Sequence, residues 1–266
     1  AVGNRVRVRG ELRGGFFGLE MVHPTIKSID AARQGLSITL FEKMIHRHPH
    51  AAQMLQVQYR MPATVMGFSN QQFYEGKLQA AQNTQTHAFS PDEPVMEWVD
   101  TAGAGYTDQV ESESLSTFNP EEAQFACQYL NDTVLRIGFG LFKENGWTIG
   151  LIAPYSAQVR RLRHLIFETY AFPNLRAFAD LITIDTVDGF QGQERDLMLI
   201  SLTRSNDRGE IGFLSDKRRL NVALTRAKRK LIVVGDSSTL AQHAFFDALL
   251  RYVEENGSYK SVWEFL

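Results

Sequence analysis

The sequence predicts a doubly wound α/β domain, a parallel sheet with helices on both faces, and three observations predict it. From Gly146 onward, strand-length apolar runs alternate with helix-length amphipathic ones, the rhythm of parallel strands joined by crossover helices. The runs Ile149-Gly-Leu-Ile-Ala, Leu197-Met-Leu-Ile and Leu231-Ile-Val-Val are continuously apolar, as strands covered on both faces require. Asn119-Pro120-Glu121-Glu122 reads as a helix start, with asparagine at the N-cap, proline at N1 and glutamate at N3.

The elements follow in order. Residues 1–23 are rich in glycine and arginine, and the alternation of Val6, Val8, Gly10 and Leu12 predicts a short β-hairpin, set apart from a main domain over 24–266. Leu36, Leu40 and Met44, with Ile38 and Phe41 beside them, predict a helix over 31–47. Met54, Leu55, Val57 and Tyr59 fit a buried strand, and Pro62 then opens a helix carrying Val65, Met66, Phe68 and Phe73, ended by Gly76. Between 80 and 118 only 95–99 reads as a strand; Pro91, Pro94, Gly103 and Gly105 mark the rest as a long surface loop. Ala123, Ala126, Cys127, Leu130, Val134 and Ile137 form one helical stripe, so Cys127 is expected to be a buried structural thiol. Strands are expected at 148–153, 182–184, 197–202 and 231–234, helices at 156–170 and 215–227, and a helical tail from 239.

Composition narrows the class. The 266 residues are 44% hydrophobic and 22% charged, and no run approaches the roughly 20 apolar residues of a membrane span. One cysteine excludes an internal disulfide and suggests a reducing, cytoplasmic setting. The net charge of -2 hides an uneven distribution. Cations cluster at Arg160, Arg161, Arg163 and His164 and again over 217–230, while acids gather over 92–122. Each cluster reads equally well as a solvated helix face.

Ligands of doubly wound sheets bind beyond the carboxyl ends of the strands, and four polar segments are expected there. In Gln58-Tyr59-Arg60-Met61-Pro62 the arginine can meet a phosphate and the tyrosine a base, although a strand-end Tyr-Arg pair is often structural. Pro154-Tyr155-Ser156-Ala157-Gln158 leads into a helix whose free amides suit a phosphate, or it is an ordinary capped turn. The stretch from Thr183 to Glu194 packs glycines, carboxylates and amides more densely than a strand or helix tolerates, which points to a ligand loop. On a helix over 215–227, Arg219 and Arg226 would project along one flank about 10 Å apart, a spacing suited to a polyphosphate. Lys228 to Lys230 would sit at the end of that helix and complement its dipole.

Taken in this order, the segments resemble superfamily-1 helicases of the Upf/Senataxin-like (1B) group, in their second RecA-like motor domain. Gln58-Tyr59-Arg60-Met61, continued by Phe68-Ser-Asn-Gln-Gln-Phe-Tyr-Glu-Gly76, is similar to motif IV and its sequel. The run from Thr186 to Asp196 resembles motif V, and Arg219-Leu-Asn-Val-Ala-Leu-Thr-Arg226-Ala resembles motif VI, followed by a Val-Val-Gly-Asp strand end. Residues 6–24 are instead similar to the wedge segment of RecG-type branched-DNA helicases.

The resemblance implies a RecA-like fold and a set of roles. Arg226 would be the arginine finger on the γ-phosphate of ATP and Arg60 a second catalytic phosphate contact. Tyr59 would pack on adenine, with Gln58, Gly192, Glu194 and Arg219 completing the nucleotide contacts. Pro154, Tyr155, Gln158 and Thr186 would face single-stranded nucleic acid, DNA or RNA, along which the family moves 5′ to 3′. This chain carries no Gly-x-x-x-x-Gly-Lys-Ser/Thr loop and no matching acid pair, so ATP and Mg²⁺ would be shared with a first RecA-like lobe as partner. No metal site is expected within the chain itself. Two other readings stand beside this one, a nucleic-acid-binding scaffold without motor activity and an unrelated doubly wound nucleotide-binding enzyme. The second lacks a glycine-rich fingerprint after its first strand.

Overall fold

The computed structural model describes residues 6–15, 18–28, 40–51 and 53–266 and divides the chain into two compact units, residues 1–55 with 111–116, and residues 56–110 with 117–266. In the first unit β1 (Val6–Gly15) and β2 (Gly18–Ser28) form the expected antiparallel hairpin, closing at Gly15 opposite Gly18. The hairpin is longer than predicted. Its register slips where His23 and Pro24 together oppose Gly10, an irregularity that removes Pro24, with no N–H to donate, from the ladder. Helix α1 (Leu40–Arg47) realises the end of the predicted 31–47 helix, whose earlier part lies outside the described residues.

The second unit is the doubly wound domain. It opens with β3 (Val57–Gln58), α2 (Ala63–Phe73) and β4 (Gln79–Ala80), β3 and β4 pairing in parallel. The strand predicted from Met54 to Tyr59 shrinks to two residues and is not buried: Val57 and Tyr59 are exposed. Apolar alternation there serves a surface ledge rather than a core. Then follow β5 (Met96–Asp100), the two-residue strands β6 (Gln109–Val110) and β7 (Thr117–Phe118), α3 (Pro120–Ile137) and α4 (Phe139–Asn145). The remainder comprises β8 (Ile149–Ala153), α5 (Ser156–Arg163), α6 (Pro173–Arg176), β9 (Ile182–Thr186), β10 (Arg195–Ser201), α7 (Lys217–Leu224), β11 (Ala227–Gly235), α8 (Ser237–Leu240), α9 (Ala244–Asn256) and β12 (Ser258–Ser261).

Six strands form one sheet in the order β12-β5-β11-β10-β8-β9, every pair parallel. Successive residues of each strand point to opposite faces and so feed two separate cores. Trp98, Ile152, Met198, Ile200, Leu231 and Val233 pack with Phe68, Leu220, Leu224, Phe246 and Leu249. Val99, Leu151, Leu199, Ile232 and Val234 pack with Ala126, Cys127, Leu130, Leu162 and Ile166. Cys127 is buried as expected, and its apolar surroundings push the thiol pKa up, which makes it inert. The N-cap reading of Asn119 holds, its side chain accepting from the Glu122 N–H at 3.0 Å.

Two predictions about cations are corrected by this sheet. The helix expected over 215–227 ends at Leu224. Thr225 turns its hydroxyl back onto the carbonyls of Asn221 (2.8 Å) and Val222 (3.2 Å), and β11 begins at Ala227. Lys228 to Lys230 are therefore strand residues, not helix-end cations. Lys228 and Arg229 pair with Asp196 at 3.5 and 3.4 Å. Lys230 is fully buried, its three donors meeting Glu93 (2.9 Å), Glu97 (2.8 Å) and the Pro94 carbonyl (2.5 Å). The edge strand β12 replaces part of the predicted helical tail; its Lys260 reaches Glu97 at 2.8 Å.

Candidate nucleotide and nucleic-acid site

Arg226 lies in the turn between α7 and β11, at the amino end of the sheet, not at its carboxyl edge. Its Nε donates to the Val222 carbonyl (2.8 Å) and its Nη1 to the Gln193 carbonyl (3.1 Å). Among the described residues no carboxylate lies within ion-pair distance of it. Burial, and then the neighbouring Arg60 charge, lower its pKa, with Glu194 acting in the opposite sense. Two carbonyls therefore aim the guanidinium while leaving its Nη2 side unpaired and its charge unneutralised.

Arg60 completes the cluster. Its Nε pairs with Glu194 at 2.6 Å and its Nη1 donates to the Thr225 carbonyl at 3.1 Å, with the Arg60 and Glu194 side chains 31% and 44% exposed. Glu194 enters from the loop that runs into β10 and passes through Gly192 at φ +81°, a left-handed turn open enough that an added Cβ would meet no atom within 4 Å. Glycine is needed there for its backbone, not for room. The structure thus joins Arg60, Glu194 and Arg226 at the amino ends of β10 and β11, where carboxyl-end placement had been expected.

Gln58 corrects another expectation. Its Oε1 accepts from the N–H groups of Arg60 (2.8 Å) and Met61 (2.7 Å) while its Nε2 donates to the Met61 carbonyl (2.8 Å). The carboxamide is spent on the turn that carries Arg60, so Gln58 shapes the site rather than offering a free group to a ligand. Tyr59 is 73% exposed and stands over an open hollow of about 570 Å³ lined by Val57, Ala81, Gln82 and Asn83.

Arg219 is not beside Arg226, because α7 ends before Arg226 is reached. It pairs with Asp188 at 3.4 Å and approaches Asp216 at 4.0 Å. With Pro154, Thr186 and Asp188 it lines a small cleft of about 30 Å³ at the carboxyl ends of β8 and β9. Thr186 stays half-buried, its hydroxyl accepting from the Gly189 N–H at 3.3 Å. Tyr155 and Gln158 are corrected outright. Tyr155 is 3% exposed; its hydroxyl donates to the Ile211 carbonyl (3.3 Å) and accepts from the Phe213 N–H (3.2 Å) and Arg204 (3.3 Å). Gln158 is fully buried, accepting from the Asn119 N–H at 2.8 Å and donating to the Ser201 hydroxyl at 2.9 Å. Neither side chain faces a strand of nucleic acid; both stitch α5 to the core.

The chain matches known proteins over most of its length. A family described as an AAA domain covers residues 36–238. The DNA-binding protein SMUBP-2 of Mesocricetus auratus is 35% identical over 256 residues, covering 91% of this chain and 24% of that protein. The ATP-dependent helicase MJ0104 of Methanocaldococcus jannaschii is 34% identical, with 87% and 33% covered, and helicase sen1 of Schizosaccharomyces pombe 32%, with 85% and 13% covered. The chain is a superfamily-1B helicase C-terminal domain. It spans about a quarter of the SMUBP-2 length. In this helicase domain the groups that aim the arginines, the carbonyls of Val222, Gln193 and Thr225, were invisible in the sequence because backbone acceptors carry no residue signature. The Asp188–Arg219 pair left only a faint one, two opposite charges in separate motifs.

Proposed function

We propose that this domain is the second motor lobe of an ATP-dependent nucleic-acid helicase or translocase moving 5′ to 3′ on single strands. The observation that carries the reading is Arg226, half-buried, aimed by two carbonyls and lacking a carboxylate partner among the described residues. A cation so placed beside a second arginine is costly until an anion arrives, and a γ-phosphate held by a first lobe is that anion. Arg226 then acts as the finger that stabilises charge developing in the transition state. Arg60 is the second phosphate contact, and Glu194, released from it, meets ribose or phosphate oxygens beside the Gly192 turn. Tyr59 supplies the face for adenine. Pro154 and Thr186, joined by Arg219, track the strand through its phosphates, a mode indifferent to base sequence.

The Mg²⁺ that accompanies ATP would rest on the first lobe and the phosphates. A scaffold reading competes because the chain has no phosphate-binding loop. ATP turnover with single-stranded nucleic acid separates the two. The chain alone should stay below about 1 s⁻¹, the low end for such phosphoryl transfer, and joining it to a first lobe should restore turnover. Fast turnover by the chain alone removes the need for a partner lobe, and a folded, strand-bound but inactive assembly favours the scaffold.

A further inference from the structure

Beyond the carboxyl end of β10 the backbone takes a turn that this sequence does not favour by itself. Thr203 is fully buried and branched at Cβ, yet its φ is +71°. The Arg204 N–H donates across it to the Leu202 carbonyl at 2.8 Å, closing a γ-turn of the rare, strained hand. The Glu122 carboxyl holds this turn, one oxygen accepting from the Thr203 N–H (2.8 Å) and the Ser201 hydroxyl (2.6 Å). Its other oxygen is buried without a hydrogen-bond partner among the described residues, and no cation there lies within ion-pair distance. The charges that act on Glu122 across the cluster are Asp108 and Asp236, and both oppose its ionisation. Helix α5 contributes the neutral Gln158, through Ser201, and Glu121, next on α3, is exposed.

The turn sets the course of the loop that follows. Arg204 is laid against Asp108 (2.7 Å) and the Tyr155 hydroxyl (3.3 Å), and the Ser205 hydroxyl against Asp236 (2.8 Å). The same Tyr155 hydroxyl accepts from the Phe213 N–H, and Phe213 and Leu214 form a wall of the cleft that also holds Pro154, Thr186 and Arg219. We propose that the Thr203 turn is a proton-operated latch, closed while Glu122 is protonated and opened when it ionises, which releases the 203–213 loop and loosens the cleft's grip on a strand. The inference rests on the reading of that cleft as part of the strand track. An ionised Glu122 would place a third carboxylate beside Asp108 and Asp236, with Arg204 already committed to Asp108. Burial outweighs its two hydrogen bonds and raises its pKa to about 7. Water must reach the carboxylate once the proton leaves, so an enclosing segment has to move. The strained turn gains by relaxing, whereas α3 keeps its Asn119 cap, so the turn is the segment that yields.

The test compares wild type with Glu122→Gln, whose amide oxygen keeps both acceptor roles and cannot ionise. Amide hydrogen exchange is followed by NMR at about pH 8 in both chains, so that intrinsic exchange rates are equal, and again at about pH 6. At the higher pH the Thr203 and Arg204 amides should exchange about tenfold faster in wild type than in the variant, ahead of the core amides of β11. At the lower pH the two chains should match. Binding of a labelled oligothymidylate at fixed salt should show the same pattern, wild type weakening by about tenfold relative to the variant as the closed fraction falls. Histidine titration is common to both chains and cancels in that ratio. Equal exchange at Thr203 and Arg204 in the two chains at both pH values overturns the latch. If exchange differs as expected and strand affinity does not, the latch stands and the reading of the cleft as a strand track fails.

Discussion

Two arginines of this domain, one buried and one half-buried, live in opposite electrostatic worlds. Arg204, near the carboxyl ends of β5 and β10, is 10% exposed at its side chain and pairs with Asp108 at 2.7 Å while donating to the Tyr155 hydroxyl at 3.3 Å. Burial pulls its pKa down, but Tyr155 and then Asp108 more than offset this, and the net shift is upward. Arg226, at the amino ends, has carbonyl partners only, and its net shift is downward. A structural arginine brings its counterion within the chain. On the reading proposed above, an arginine held without one takes its anion from outside the chain.

The largest effect expected from this contrast is on catalysis. In an assembly with a first lobe, the proposed finger role predicts that Arg226→Ala cuts ATP turnover by roughly 10³ or more while shifting stability by only about 0.5 kcal/mol. Arg204→Ala should do the reverse. Half-buried Asp108 would keep the Ser205 N–H (3.0 Å) and the Asn206 amide (2.9 Å), so losing its arginine should cost about 1–3 kcal/mol in a denaturant titration. Equal stability losses in the two variants would erase the distinction.

Next in size is a pH effect at Glu122. This carboxyl is fully buried, one oxygen accepting from the Ser201 hydroxyl (2.6 Å) and the Thr203 N–H (2.8 Å), and burial raises its pKa from 4.5 to about 7. In the folded chain Glu122 therefore holds a proton that the unfolded chain has released above pH 4.5. The folded state binds more protons in that window, so stability falls as pH rises from about 4.5 to about 7. Glu122→Gln should remove that slope, gaining on wild type by up to about 3 kcal/mol across the window. A difference curve that stays flat with pH would show that Glu122 titrates normally.

The smallest effects separate Gln158 from Thr186. Gln158→Ala strands the Asn119 N–H and removes one donor to the Ser201 hydroxyl, which keeps its bond to Glu122, and should cost about 1–3 kcal/mol of stability, with single-strand binding unchanged. Thr186→Ala should leave stability nearly unaltered and weaken a binding that declines with salt. If Gln158→Ala instead weakened strand binding at full stability, its assignment to the core would be mistaken.

What the residues disclosed, and what they hid, follows from how each signal is written. Runs such as Leu231-Ile-Val-Val announce a doubly covered strand because burial on both faces admits no polar residue. The same local logic misplaced Arg226: Leu220, Ala223, Leu224 and Ala227 keep a helical stripe past the point where Thr225 ends the helix. Gln158 looked like a ligand residue because its polarity is local, whereas its partners, Asn119 and Ser201, lie 39 and 43 residues away. Strand β12 escaped notice because Ser258-Tyr-Lys-Ser is too polar to read as a strand, and its order comes from pairing with β5 and from the Lys260–Glu97 bridge. Motif residues Arg60, Glu194 and Arg226 were legible as a set; their location at the amino ends of β10 and β11 was not, since it depends on how the turns fold back.

The most direct check of an arginine awaiting an external anion is a thermal titration of the chain with inorganic tripolyphosphate at low ionic strength. Wild type should be stabilised progressively as the anion fills the place between Arg60 and Arg226. Arg226→Ala should lose most of that stabilisation, and a control change at an exposed arginine such as Arg161 should not. Identical stabilisation of wild type and Arg226→Ala, or none in either, would contradict the assignment of Arg226 as a phosphate ligand.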